Sequence, residues 1–222
     1  MGVLLGIPTY SDKLPVSTAS ALICMEKPGQ VEFAVISRSR IDQSRNLLLK
    51  YAYEKGLGHV LFVDDDNPPP INAMSKLLSR GKDIIGCLIP KRKPGYEYCI
   101  FDKHFVDGKF KAYRHKIDLP EEEVFEVDAI GCGVTLVKME AVKKIIKRFN
   151  KGWKDGDKWD DIKVKPFDFV MFEGDLIGED IAFCQRAQEA GVKIHCDQTL
   201  RVPHIGESKV IRIAENNHIE II

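Results

Sequence analysis

Apolar positions fall into two kinds of segment that alternate along the first half of the chain. Short apolar runs at residues 3–7, 31–36, 59–63 and 83–89 are closed by proline, serine or aspartate, which predicts buried strands. Between them, residues 17–25, 41–54 and 71–80 carry apolar positions at helical spacing. Ser39 followed by Asp42 resembles a helix cap, and Gly56 and Gly81 stand where the second and third helices should stop. Strands alternating with helices over short connections predict a parallel sheet covered on both faces. The second half is mixed. Residues 124–130, 134–137, 192–196 and 200–202 read as strands, and 140–149 and 179–190 as helices, the latter closed by Gly191. Residues 91–123, rich in charge, Gly, Tyr and Pro, read as a long loop or small hairpin excursion, and 151–165 as a polar surface loop. The expectation is one α/β domain over residues 1–222, with a mixed, mostly parallel central sheet flanked by helices. The weakly apolar end, residues 218–222, reads as a further strand, added within the fold or to a partner, and a homo-oligomer is among the expectations.

Composition narrows the function. The 222 residues are 44% hydrophobic and 30% charged, the profile of a globular domain and not of a disordered one. The 33 basic and 33 acidic residues cancel, so no global basic field recommends nucleic acid or an anionic membrane as partner. No apolar run is long enough for a transmembrane helix. The segment 1–8 has no basic region, is too short for a signal peptide and lacks the Ser/Thr of a myristoylation signal. Cys24, Cys87, Cys99, Cys132, Cys184 and Cys196 form no CxxC pair, which reads as free thiols of a reducing compartment, and a cytoplasmic location is expected.

The strongest chemical feature is Asp64-Asp65-Asp66 directly after an apolar strand. Alternation along a strand would put Asp64 and Asp66 on one side and Asp65 on the other. At the carboxyl end of a parallel strand, such a pair faces the crevice where open α/β sheets bind ligands. Two carboxylates held together call for a hard divalent cation, Mg²⁺ or Mn²⁺, shared with substrate phosphates. The bland alternative is an acidic turn capping the next helix. Glu179 and Asp180 open a helix, where the dipole favours them and where one could also act as a base. His204 follows a late strand and could complete a metal shell. Arg40, Asp42 and Arg45 share a helix, and arginine forks suit a diphosphate. Cys132, between two glycines, reads as a small side chain in a tight segment. Trp153 and Trp159 suit either sugar stacking or loop anchoring.

These segments, in this order, resemble the GT-A class of nucleotide-sugar glycosyltransferases, particularly small family 2-like members. Pro8-Thr9-Tyr10 resembles that class's first donor-binding loop, Ser44-Arg45-Asn46-Leu47 its Ala-Arg-Asn helix, and Leu61 to Asp66 its DxD strand. Ala129 to Val134 resembles its glycine-containing acceptor segment, Gly178-Glu179-Asp180-Ile181 its Glu-Asp helix, and Val202-Pro203-His204 its late metal-binding histidine. The resemblance spans residues 3–206 and implies a single GT-A-type, Rossmann-like domain. It implies that Asp64, Asp66 and His204 hold a divalent metal (Mn²⁺ or Mg²⁺) against the donor diphosphate. Pro8, Thr9, Tyr10, Arg40, Asp42, Arg45, Asp64, Asp65 and Lys91, the last beside Arg92, would line the donor site. Asp180 or Glu179 would deprotonate an acceptor hydroxyl, borne by a glycan, lipid, protein or small molecule. The late histidine is prominent in retaining members and the Glu-Asp helix in inverting ones, so both stereochemical outcomes stay open. Two other readings compete: a metal-dependent nucleotidyltransferase, for which a Gly-rich basic loop after the first strand is missing, and a non-catalytic nucleotide- or carbohydrate-binding module.

Overall fold

The first strand, β1 (Val3–Pro8), is buried at every position, because both of its faces are covered. The structure, a computed structural model, describes residues 2–92, 97–172 and 174–206, and residues 210–213 and 219–221 as backbone. After β1 come α1 (Val16–Cys24), β2 (Val31–Ile36), α2 (Ile41–Glu54), β3 (His59–Val63), α3 (Ala73–Ser79) and β4 (Ile84–Leu88). β5 (Ile100–Val106), β6 (Lys109–His115), β7 (Val124–Val127), β8 (Ala129–Ile130), β9 (Val134–Lys138) and α4 (Met139–Phe149) follow. The chain continues through a 3-10 turn at Trp159–Asp161, β10 (Val170–Phe172), β11 (Asp175–Ile177), α5 (Glu179–Glu189), β12 (Ile194–Arg201), β13 (His204–Ile205), β14 (Val210–Ile213) and β15 (Ile219–Ile221).

A seven-stranded sheet in the order β2-β1-β3-β9-β4-β12-β7 forms the centre. β1, β2, β3, β4 and β12 run one way, and β9 and β7 run the other. Period-two burial divides the core into two layers. Leu4, Val60 and Phe62 pack with Leu48 and Leu49 of α2 and with α4 and α5 on one face. Val3, Leu5, Ile7, Leu61 and Val63 pack with Leu22 of α1 and Met74 and Leu77 of α3 on the other. Gly6 is part of this fit, since a Cβ there would come within 3.1 Å of Leu48. The fold is thus an α/β, Rossmann-like arrangement with a mixed central sheet, as the periodicity predicts.

The chain steps outward from β1 to β2, then returns past β1 to β3 on its other side. Helices at such a reversal diverge and leave a crevice at the carboxyl ends of the two strands. Thr9 and Asp64 begin immediately beyond those ends, so the topology alone brings the first loop and the aspartate triplet together.

Of the two forms expected within residues 91–123 the hairpin is the one seen, two other element readings change, and one hairpin is new. Residues 100–115 form the hairpin β5–β6, turned at Asp107-Gly108 with both residues at positive φ. Residues 124–130 are not one strand: β7 pairs with β12 in the main sheet, whereas β8 pairs with β5. The chain switches sheets at Asp128, whose carboxylate accepts from the Lys103 amide at 2.7 Å and from Gln188 at 2.9 Å. Residues 192–196 and 200–202 belong largely to one strand, β12, continued across an irregular stretch after Asp197. Asp197 is fully buried and held by Arg80 at 2.8 Å, so its polarity does not end the strand. The hairpin β10–β11 was not foreseen. In the 151–165 segment, Trp153 and Trp159 are buried and flank the Tyr53 ring at 5.9 and 5.8 Å, which anchors the loop on α2. β15 joins β14, which joins β13. His218 and Ile222, the ends of the strand expected there, lie outside the described residues.

Candidate active site

Most of α2 obeys the ordinary rule, with Leu48, Leu49 and Ala52 facing the core, but its first turns bury Asp42, Ser44, Arg45 and Asn46. Buried polar side chains need partners, and these mark where the helix stops serving the core alone. Arg45 has a side chain only 3% exposed. Its Nη2 donates to both oxygens of Asp64, at 2.9 and 3.0 Å, and its Nη1 to Glu179. The guanidinium lies 5.7 Å from the Phe167 ring centre, and Phe167 is itself stacked on Phe183 of α5. Burial works against the arginine's charge, yet the nearby carboxylates, Asp64 foremost, hold it firmly protonated. The converse strain falls on the acids. Burial raises Asp64 above the usual carboxylate range even with Arg45 in contact. Burial and then the adjacent Glu179 raise Asp180. A carboxylate poised in this way is a better proton acceptor near neutral pH than an exposed one.

The aspartate triplet does not alternate. β3 ends at Val63, and the Asn67 amide donates back to the Asp64 carbonyl at 3.1 Å, closing a turn. Each carboxylate therefore goes to a different partner. Asp64 meets Arg45, Asp65 accepts from the Thr9 hydroxyl, and Asp66 meets Arg92 and His204. The turn is pinned from several sides. The Asp64 amide donates to Gly133 at 2.7 Å, Thr18 Oγ1 donates to the Asp65 carbonyl at 2.7 Å, and the Ile205 amide donates to the Asp66 carbonyl at 2.9 Å. Asn67 donates from its side chain to the Pro203 carbonyl at 3.1 Å. Gly133 has no room for a side chain, because a Cβ would stand 2.3 Å from Asn67 Oδ1. Gly131 leaves space over Asp180, whose Oδ2 would be 3.6 Å from a Cβ placed there. The other Asp180 oxygen accepts from the Ile181 amide at 2.7 Å.

At the far side of the triplet, His204 Nδ1 lies 2.9 Å from the Pro90 carbonyl. A carbonyl only accepts, so the proton belongs on Nδ1 and the Nε2 lone pair turns toward Asp66, 3.4 Å away. Arg92 bridges the two, with its Nε donating to His204 Nε2 at 3.0 Å and its Nη2 to Asp66. A carboxylate and an imidazole lone pair facing each other suit a cation by charge and donor type. Among the described residues, no three His, Cys, Asp or Glu side chains gather closely enough to hold one alone. The pair fits two positions of a hard divalent ion, which would need further ligands from outside these two side chains.

Several expectations about individual residues are thereby revised. Asp64 is paired with Arg45 and not with Asp66, and of the three residues expected at a metal only Asp66 and His204 face each other. Arg45 is buried with both terminal nitrogens engaged by Asp64 and Glu179, while its Nε has no hydrogen-bond partner among the described residues. Lys91 pairs with Glu97 at 2.8 Å, and it is its neighbour Arg92 that reaches the site. Arg40 pairs with Asp42 at 3.1 Å and lies 5.2 Å from the Phe169 ring centre, at the start of α2. Glu179 is bound to Arg45, whereas Asp180 accepts from the Ile181 amide with one oxygen and has the other beside Gly131. Pro8 closes β1 beside Ile36, and Tyr10 is 85% exposed at the crevice mouth. A cavity of about 270 Å³, lined by Ile7, Thr9, Asp12, Leu14, Val35 and Ser37 among others, opens between the ends of β1 and β2. Thr18 and Asn67 are positioning groups outside the motifs singled out above, and Gly133 lies within one of them. Only Gly133, in a Gly-Cys-Gly run, carried a signal. Cys132 is buried, and burial pushes its thiol well above the usual range, in keeping with a packing role.

In sequence, the chain matches no protein-family profile and no curated protein. In structure it is similar to A197 from STIV, with a TM-score of 0.63 and 17% identity, over 100% of this chain and 94% of that one. This likeness shows a shared fold. Weaker likenesses are to S. aureus TarS 1-349, with a TM-score of 0.48, 14% identity, 88% of this chain and 58% of that one, and to a nucleoside-diphosphate-sugar pyrophosphorylase from Vibrio cholerae RC9. For the latter the TM-score is 0.39 and the identity 14%, over 96% of this chain and 76% of that one. Among the described residues, no helix is long and apolar enough to cross a membrane.

Proposed function

We propose that this chain is a GT-A-type, metal-dependent glycosyltransferase that moves a sugar from a nucleoside-diphosphate sugar to an acceptor hydroxyl. The observation that carries the reading is the gathering, at the β1/β3 crevice, of a triplet turn, a paired Asp66–His204 and a half-buried Asp180 with a raised pKa. The cavity between β1 and β2 suits the nucleoside, with the exposed Tyr10 ring available to stack on the base. Asp65, oriented by Thr9, faces the same loop and serves as an acceptor for ribose or base. Asp66 and His204 would hold a divalent cation, which when bound supplies charge neutralisation for the departing diphosphate.

This chain's own residues then perform the remaining work. Arg45 ties Asp64 and Glu179 together, so that the helix start carrying Asp180 does not shift. Asp180 Oδ2, beside the space that Gly131 leaves, takes the proton from the acceptor hydroxyl as the new glycosidic bond forms. The anomeric carbon passes through a transition state of oxocarbenium character, and the acceptor oxygen must be held in line with the leaving oxygen. β10–β11 and the β5–β6 hairpin touch through Phe110 and Phe172, 5.1 Å between ring centres, and build the outer wall where the acceptor would approach. The free thiols accord with a cytoplasmic, reducing setting.

The test is turnover. Incubating the protein with UDP-, GDP- and CDP-sugars and Mn²⁺, and following release of the nucleoside diphosphate by chromatography, should show one donor consumed, slowly by water and faster with its acceptor. Asp180→Asn should lower that rate by about 10²–10⁴-fold, the span of a lost general base. A rate unchanged in Asp180→Asn would remove this residue from the mechanism, and no consumption of any donor would contradict the transferase reading.

A further inference from the structure

Asp66 and His204 present two groups that cannot satisfy each other. Both face inward as acceptors, 3.4 Å apart, with the imidazole proton committed to the Pro90 carbonyl. Asp66 is largely buried, with 13% of its side chain exposed, so a carboxylate there needs a positive partner. Arg92 supplies it, donating to both groups at once. Its own surroundings differ from theirs. The side chain is 62% exposed and enters the site from the loop after β4, whose neighbouring lysine is engaged elsewhere with Glu97. A cation on a long, mostly solvated stem is anchored only at its tip and can leave without disturbing the core. Arg45, buried and packed on Phe167, is its opposite.

We propose that Arg92 is a resident counter-ion for the cation site: its guanidinium compensates the Asp66 carboxylate and occupies the His204 Nε2 lone pair while no divalent metal is bound, and it yields that place when metal and donor diphosphate enter. This rests on the reading of Asp66 and His204 as the metal ligands. Two consequences follow from competition for the same two groups. Metal alone should bind weakly, because it must displace Arg92 from a charge-assisted contact. Metal together with a diphosphate should bind cooperatively, because the displaced guanidinium gains a new anionic partner within reach. The device would keep the site from filling with metal before the donor arrives.

The test measures Mn²⁺ binding directly, by the loss of the free-ion paramagnetic resonance signal, so it does not depend on turnover. Wild type, Arg92→Gln, Asp66→Asn and the double variant are titrated with Mn²⁺ alone and again with UDP, GDP or CDP. With Mn²⁺ alone, Arg92→Gln is expected to bind about tenfold more tightly than wild type, and the gain should vanish in the double variant. With the diphosphate that binds, wild type should gain affinity for Mn²⁺ and Arg92→Gln should gain distinctly less. If Arg92→Gln binds Mn²⁺ no more tightly than wild type while Asp66→Asn abolishes binding, the counter-ion role is overturned and the metal site stands. If no variant binds Mn²⁺ under either condition, the metal reading fails and the proposal falls with it.

Discussion

Arg45 is the residue on which the local electrostatics turn. It is buried with two carboxylates in contact, and removing one member of such a group leaves uncompensated charge in a poor solvent. Arg45→Met should therefore cost about 3–5 kcal/mol of stability, the range for breaking a buried pair, measured by chemical denaturation. A loss below about 1 kcal/mol would mean that Asp64 and Glu179 relax into solvent. Asp180 makes the opposite trade. Its pKa is raised in the fold, first by burial and then by Glu179, so its charged form is the less favoured one in the native state. The stability linked to a raised acid is present at low pH and declines as pH rises through the folded value. Asp180→Asn should consequently melt higher than wild type at pH 7, and the difference should shrink as the pH is lowered toward the acid range. The same shift displaces the acidic limb of the rate profile upward: activity should fall, on acidification, at a higher pH than the ordinary aspartate value near 3.8. A limb at or below that value would contradict Asp180 as the base.

At the scale of elements, the triplet turn and the Gly131–Gly133 segment are built as one piece. The Asp64 amide bonds to Gly133, and Asn67 fills the space that a side chain there would need. Gly133→Ala must push the turn or β9 aside, and a cost of about 1–3 kcal/mol is the usual penalty for overfilling a packed site. Because Asp66 moves with the turn, nucleotide binding should weaken along with stability, which calorimetric titration would show. If stability falls and binding does not, the turn is less rigid than its bonds imply. The same turn shows why part of the site was illegible in the sequence. Alternation holds along β3, with Leu61 and Val63 on one face and Val60 and Phe62 on the other, but only while the strand continues. The bond from Asn67 back to Asp64 ends it, and three adjacent aspartates leave in three directions. The β1–β4 succession was readable because each strand is apolar on both faces and each helix keeps its spacing. β12 reads as two strands because its polar middle, Asp197 to Thr199, interrupts the apolar run, whereas in the fold a long-range partner, Arg80, makes the burial of Asp197 tolerable. The β10–β11 hairpin, with exposed Met171 and Leu176, has no period of its own to reveal it.

At the scale of the whole molecule, the order β2-β1-β3 sets the crevice, and everything chemically distinctive converges on it from distant parts of the sequence. Thr9, Arg45, Asp64 to Asp66, Arg92, Asp180 and His204 come from loops, the first turns of α2 and α5, and the short strand β13. The sequence announced most of these residues; which of them meet was decided by the fold. The most direct measurement is thermal melting with UDP, GDP and CDP and their sugars, each with and without Mn²⁺, on wild type and Asp66→Ala. A ligand at about 100 times its dissociation constant adds about 2.7 kcal/mol, or roughly 5–10 °C for a chain of this size. The account predicts such a shift for one base, dependent on Mn²⁺ and lost in Asp66→Ala. No shift with any nucleotide, with or without the metal, would contradict it.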